Sequence, residues 1–408
     1  MPLDALPRRP SGLTELDRVL GQGPHGFGLV AGQVVVLGGE PGVGKSTLLL
    51  QALAGLTDAK QSGSESRALY ATGEESRAQV AGRARRLGLD GALERVDVVD
   101  TYQLEEVEAS LRSGRYAAAV LDSLQTFRVA DVDADAGSVR AVKLVAERLT
   151  HLAKETGIVL WLVGQATKDG RLAGPMAAAH FVDTVVWFER DPSGAYRVLH
   201  GLKNRFGPEQ EVAFFEMREE GLVEVADPSA RLVGSRLGPR PSGSAWTVVA
   251  EQDRPLIAEV QAFETPEPSG ASGRRVASGI DAGRLTLLLG ILERRAGVAF
   301  TGDVFVDLDA GVRVTERALD LPLALALGSA ARDVPLVSGL AAFGKVALTG
   351  ELRAVPRTAA RIAEARRLGF TRVLVPAEQV DALDVEGIEV VSAASLEEAL
   401  GLGLASTL

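Results

Sequence analysis

Residues 34–50, VVVLGGEPGVGKSTLLL, constrain this chain more than any other stretch. Four apolar residues, three of them β-branched, predict a buried strand. A glycine-rich turn follows, and residues 46–50 open a helix. Gly39 to Ser46 fits G-x-x-x-x-G-K-[ST], the phosphate-binding loop. Glycines there let backbone N–H groups converge on phosphate oxygens, because a Cβ would block the approach. The helix N-terminus adds partial positive charge. The pattern predicts a nucleoside triphosphate site built from Gly39, Glu40, Pro41, Gly42, Val43, Gly44, Lys45, Ser46 and Thr47. Lys45 reaches the β/γ-phosphates, and the Ser46 hydroxyl can ligate Mg²⁺. ATP and Mg²⁺ are the expected ligands.

A chain of 408 residues is too long for one ordinary core, so two or three domains are expected. The apolar runs at residues 158–163 and 285–292 are too short to cross a bilayer. The first ten residues, MPLDALPRRP, hold no apolar signal core, so a cytoplasmic protein is the default. With no cysteine, disulfides, thiolate zinc sites and a cysteine nucleophile are all excluded. The net charge of −10 disfavours a protein that coats nucleic acid with its whole surface. A local basic channel in an acidic body remains compatible with it.

In chain order, residues 11–20 read as an N-capped helix or turn. Gly55 is expected to end the phosphate-loop helix. Residues 68–71 form a short strand running into Thr72-Gly73-Glu74-Glu75-Ser76, and residues 76–87 a helix with a basic face. Strands at 96–99, 117–121 and 158–163 alternate with helices at 104–111 and 142–153. Residues 182–188 and 196–202 read as a hairpin about Asp191-Pro192-Ser193-Gly194. Alternation of this kind predicts an α/β fold, a mostly parallel sheet with helices on both faces. Residues 227–243, rich in proline and glycine, mark a linker between domains at 1–226 and 244–408. The second region is also α/β, with helices at 284–295 and 321–331 and a late strand at 370–376.

Ligands on such sheets bind beyond the C-terminal ends of the strands, which gathers Glu74, Asp122 and Gln165 around the phosphate loop. Asp122 ends an apolar strand and has the context of a Walker-B aspartate holding Mg²⁺ through water. Glu74 is favoured over its neighbour Glu75 as the group that orients or deprotonates the attacking water. Gln165 can sense the γ-phosphate and pass its loss to the loop at residues 166–179. That loop carries Lys168 and Arg171, suited to phosphate-backbone contact or to solvent alone. Arg274 and Arg275 are further candidate DNA contacts. Asp131, Asp133 and Asp135 read as a solvated acidic loop, since a calcium loop's register is missing. Lys203-Asn204-Arg205-Phe206-Gly207, after the hairpin's second strand, is a basic loop or a finger for a neighbour's γ-phosphate.

Taken together, these motifs resemble the RadA (Sms) family of bacterial DNA-repair proteins, within the RecA/DnaB-like motor ATPases. The residues that carry the resemblance are Gly12-Leu13 with Leu16-Asp17-Arg18-Val19-Leu20, the phosphate loop, Thr72 to Ser76, Arg86-Leu87-Gly88-Leu89 and Leu121-Asp122-Ser123. Thr167-Lys168-Asp169-Gly170, Leu172-Ala173-Gly174-Pro175 and Lys203 to Gly207 complete it, the last being the family's signature. The resemblance implies a RecA-like core and a homo-oligomer, a hexameric ring around single-stranded or branched DNA. It also implies branch migration in recombination, recombinase and replication proteins as partners, and Lys203 and Arg205 acting in trans.

Members of that family usually begin with a four-cysteine zinc module, whose contacts do not carry over to a chain without cysteine. The C-terminal half resembles the Lon protease domain, whose activity needs a serine–lysine dyad. Ala318 stands where the serine is expected, within Glu316-Arg317-Ala318-Leu319-Asp320-Leu321. No lysine follows Lys345, although the Lon lysine belongs on the helix at 358–367. Without a low-pKa amine no base activates a hydroxyl, so a proteolytically inactive scaffold is expected. Two rival functions stay open, an ATP-dependent peptidase and a nucleotide-dependent oligomeric switch without DNA.

Overall fold

The computed structural model describes residues 6–23, 26–58, 66–130, 135–165, 177–191, 194–234, 238–250, 254–267, 273–310, 314–382 and 386–405. The chain divides into two compact units, Met1–Ala226 and Asp227–Leu408.

The first unit is organised by β1 (Val34–Gly39), buried along its whole length. Its alternate side chains enter two separate cores: Val35 and Leu37 pack on one face, Val34 and Val36 on the other. A strand covered on both sides has no polar face to show, which explains the unbroken apolar run. The other strands of its main sheet are β2 (Arg67–Thr72), β3 (Val96–Asp100), β4 (Tyr116–Asp122), β5 (Val159–Val163), β6 (Thr184–Arg190), β7 (Arg197–Asn204), β8 (Val212–Arg218) and β9 (Gly221–Glu224). They form one sheet in the order β9-β8-β7-β6-β1-β5-β4-β2-β3. From β6 to β3 every pairing is parallel, whereas β6 to β9 pair antiparallel.

Helices α1 (Thr14–Leu20), α2 (Lys45–Leu56) and α3 (Arg77–Arg86) feed the core on one face. Those on the other are α4 (Leu104–Arg112) and α5 (Val139–Thr156). Ser76 and Gln79 close a capping box on α3, and Gly157 ends α5 in the left-handed conformation.

Three local expectations are corrected. Gly55 lies inside α2, which runs on to Leu56. Its role is contact: a Cβ there would stand 1.9 Å from the Ser11 carbonyl oxygen. Ser11 does not cap α1, whose N-cap is Leu13 without a side-chain bond; the Ser11 N–H instead donates to the Asp17 carboxylate at 2.8 Å. The stretch read as a linker holds a helix, α6 (Pro228–Val233), with the Asp227 carboxylate accepting from the Ala230 N–H at 2.8 Å. Val233 is buried in the second unit's core, so α6 belongs to that unit.

In the second unit the strands of the main sheet are β10 (Ser244–Val249), β11 (Leu256–Glu264), β12 (Arg275–Ser278), β13 (Val304–Asp309), β14 (Leu340–Ala342), β15 (Arg372–Pro376) and β16 (Glu389–Ala393). The sheet order is β12-β13-β11-β10-β14-β15-β16, with both parallel and antiparallel pairs. Its helices are α7 (Ala282–Ala296), α8 (Asp320–Arg332), α9 (Thr358–Arg367) and α10 (Leu396–Gly403). Ile362 and Ala365 of α9 pack with Trp246, Val248 and Ile257 in the core, where Ala318 is also buried.

Candidate nucleotide site

The C-terminal ends of β1, β2, β4 and β5 converge on a cleft of about 450 Å³. It is lined by the phosphate loop and by Glu74, Glu75, Arg83, Arg86, Asp122, Gln165 and Met217. Gly44 precedes α2 at φ +114°, a conformation that only glycine holds without strain. Lys45 is buried, and its Nζ donates to the carbonyls of Gly39 at 2.9 Å and Glu40 at 2.8 Å. Burial lowers its pKa below the ordinary lysine value, opposed by the carboxylates of Asp122, Glu74 and Glu40.

Asp122 and Ser46 meet as the motif requires: the Ser46 hydroxyl donates to Asp122 Oδ2 at 2.7 Å. Sequence reasoning missed Tyr70, which lies on β2 with its ring wholly buried. Its phenol donates to the same Oδ2 at 2.6 Å. Burial, with the Asp122 charge, pushes the Tyr70 pKa well above its usual value, so it serves as a donor. A polar tip in an otherwise apolar strand was the available signal.

Glu74 Oε1 accepts from Ser123 Oγ at 2.5 Å and from Gln165 Nε2 at 2.9 Å. The neighbouring carboxylate, Glu75, is ion-paired with Arg83 of α3. Thr72 Oγ1 accepts the backbone N–H groups of both glutamates, at 3.2 and 3.0 Å, and so sets the turn that presents them. Glu74 and Gln165 are exposed, at the ends of β2 and β5, which leaves the Glu74 carboxylate open to water.

The donor set fits a magnesium nucleotide. Among the described residues there is no cluster of three His, Cys, Asp or Glu side chains able to hold a metal. One hydroxyl and one carboxylate, Ser46 and Asp122, are what a cation needs when phosphates and waters complete its shell.

The remaining candidates lie elsewhere. Lys203 and Asn204 are the last residues of β7, not a loop beyond it. Asn204 pairs with Thr184, and Thr184 with Val35, four residues before Gly39 on β1. The basic pair therefore sits towards the opposite end of the strands from the phosphate loop, roughly 13 Å away along them. Lys203 Nζ donates to the carbonyls of Ala179 and Val182, at 2.6 and 2.8 Å, and Arg205 pairs with Asp183. Lys168, Arg171, Asp131 and Asp133 lie outside the described residues. In the second unit, Arg274 is exposed, whereas the Arg275 guanidinium donates to the Gly302 carbonyl at 2.7 Å and is tied to the sheet.

The position expected for a protease serine is filled by buried Ala318. The buried cation on α9 is Arg361, 1% exposed, paired through two nitrogens with Glu316 and stacked over Phe343 at 5.6 Å.

Comparison with known proteins joins these features. The family described as AAA domain matches residues 25–171, and that described as subunit ChlI of Mg-chelatase matches residues 297–379. The DNA repair protein RadA of Salmonella typhimurium is 42% identical over 98% of this chain and 84% of its own. The RadA proteins of Escherichia coli and Bacillus subtilis are 41% and 39% identical with the same coverage. A solved KaiC-like protein from Pyrococcus horikoshii overlays with TM-score 0.44 and 19% identity, covering 54% of this chain and 99% of its own. No described helix is long and apolar enough to cross a membrane. The curated relatives are alike along almost the whole chain, and the chain belongs to the RadA family of DNA repair proteins, ATPases with a RecA-like fold.

Proposed function

We propose that this chain is an ATP-driven motor that moves branches in single-stranded and branched DNA during recombinational repair. The observation that carries the reading is the separation of two halves of one reaction centre. Lys45, Ser46, Asp122 and Glu74 gather at one end of the strands, whereas Lys203 and Arg205 lie towards the other. Cations so far from their own phosphate loop reach a triphosphate only on an adjacent subunit, as fingers supplied in trans do. The assembly that follows is a closed homo-oligomer, a hexameric ring, with DNA in its path.

Within one site, Glu74 accepts a proton from water as the water oxygen attacks the γ-phosphorus. The bond to the bridging oxygen breaks, and ADP leaves with the electron pair. Lys45 holds the β- and γ-phosphate oxygens, and the neighbour's Lys203 and Arg205 meet charge that develops on the γ-phosphoryl group. Mg²⁺, held by Ser46 and Asp122, neutralises phosphate charge when bound. Gln165, hydrogen-bonded to Glu74, relays loss of the γ-phosphate to residues 166–179, where Lys168 and Arg171 contact the DNA backbone, with Arg274 a further contact. Recombinase and replication proteins are the expected partners. The second unit, Lon-like in plan, acts as a scaffold.

The test is ATP hydrolysis with and without single-stranded DNA, followed by extension of a three-strand DNA joint. The motor requires stimulation by DNA and ATP-dependent extension. A rate indifferent to DNA would instead favour the nucleotide switch, and ATP-dependent release of peptides the peptidase.

A further inference from the structure

Asp183 is the residue immediately before β6, and its side chain is 3% exposed. Its two carboxylate oxygens are divided between different tasks. Oδ2 accepts from the Val34 N–H at 3.0 Å and from Lys154 Nζ at 2.6 Å. Oδ1 faces Arg205 Nη1 at 3.5 Å. The main chain repeats the contact, since the Arg205 N–H donates to the Asp183 carbonyl at 3.1 Å. The preceding residues, Ala179 and Val182, supply the carbonyls that hold Lys203. Both finger cations therefore rest on one short segment, residues 179–183.

We propose that Asp183 is a positioning residue that aims the Arg205 guanidinium at the neighbouring subunit's triphosphate. The proposal rests on the reading that Arg205 acts in trans. Arg–carboxylate pairs are frequently bidentate. Here one nitrogen meets one oxygen at 3.5 Å, and the Arg205 side chain is 52% exposed, so most of the fork is open to a second anion. A buried carboxylate behind a half-exposed guanidinium fixes its direction while leaving its outer donors free. Lys154 completes the seat from α5, with its ammonium 5.6 Å from the Phe206 ring.

Asp183→Asn keeps an acceptor for the Val34 N–H but removes the charge that holds Arg205. The assay mixes full-length subunits that are inactive alone: Lys45→Ala, which donates fingers, and Arg205→Ala, which donates phosphate loops. Asp183→Asn is then added to one partner at a time. With Asp183→Asn on the finger donor, restored ATPase is expected to fall about tenfold, as losses of orienting partners do. With the same substitution on the loop donor, restored activity is expected to stay at the parent level. Asp183→Glu on the finger donor is expected to recover part of the loss. An equal fall in both arrangements overturns the proposal by showing damage to the subunit as a whole. No fall in either overturns it too. If the unsubstituted mixture shows no activity while each variant binds ATP and assembles, action in trans fails, and the proposal falls with it.

Discussion

Tyr70 and Asp122, on adjacent strands β2 and β4, are joined by a 2.6 Å hydrogen bond inside the core. The same Asp122 oxygen takes the Ser46 hydroxyl at 2.7 Å, so the carboxylate is clamped from the core and from the phosphate loop together. Tyr70→Phe leaves ring packing intact and releases the core side of the clamp. The expected result is a rise of about tenfold in the Mg²⁺ concentration needed for half-maximal ATPase. Metal-free nucleotide binding should be unchanged. An unaltered Mg²⁺ titration would show that Ser46 alone orients Asp122.

The two glutamates separate by partner. Glu75 is engaged by Arg83, whereas among the described residues the Glu74 carboxylate accepts from neutral donors, Ser123 and Gln165. Glu74→Gln should therefore bind ATP normally and fail to hydrolyse it. If Glu75→Gln is the inactive variant instead, the base has been misassigned.

Lys45→Ala removes the one cation of the phosphate loop. Turnover should drop by ~10²–10⁴-fold, the scale seen when a preorganised electrostatic stabiliser is lost. ATPase at the parent rate would falsify the site assignment.

In the second unit, the only lysine from Asp227 onward is Lys345, which is exposed. Unfolded casein incubated with the protein and ATP should yield no peptides. Ala318→Ser should not change that outcome, because no amine stands ready to activate the new hydroxyl. Cleavage that vanishes when a serine of this unit is replaced would overturn the scaffold reading.

Asp17 gives the first unit a pH signature. Its carboxylate accepts the Ser11 N–H through both oxygens, yet burial raises its pKa from 3.8 to about 6, aided by the Glu224 charge. A raised carboxylate pKa means that the folded chain binds the proton more tightly than the unfolded chain does. This contribution to stability is therefore present at low pH and is lost as pH climbs from 3.8 towards 6. Asp17→Asn should be more stable than the parent at pH 7 by roughly 1–2 kcal/mol, the pKa gain less one weakened hydrogen bond. Urea unfolding across pH should show that advantage shrinking to nothing near pH 4.

The phosphate loop was legible because its flanks obey local rules: β1 is apolar throughout since both its faces are covered. Helix α5 was legible through its apolar stripe and the glycine that ends it. What the chain order hid depends on partners distant in sequence. Gly55 reads as a helix stop until Ser11 is found against it. Tyr70 reads as a core aromatic until strand order brings β4 alongside β2. The density of proline and glycine after Asp227 masked a capped helix start, although an acidic cap followed by proline is itself such a signal. The end of β7 was placed two residues early, at Leu202 instead of Asn204, because its polar end carries no apolar periodicity.

The pair of Glu316 and buried Arg361 makes its corner of the second unit a lock on helix α9. Replacing either partner alone strands the other as an uncompensated charge in the core, at a cost of about 3–5 kcal/mol. An ammonium put in place of Arg361 would stay paired with Glu316, which favours its charged form, so this corner offers no free base.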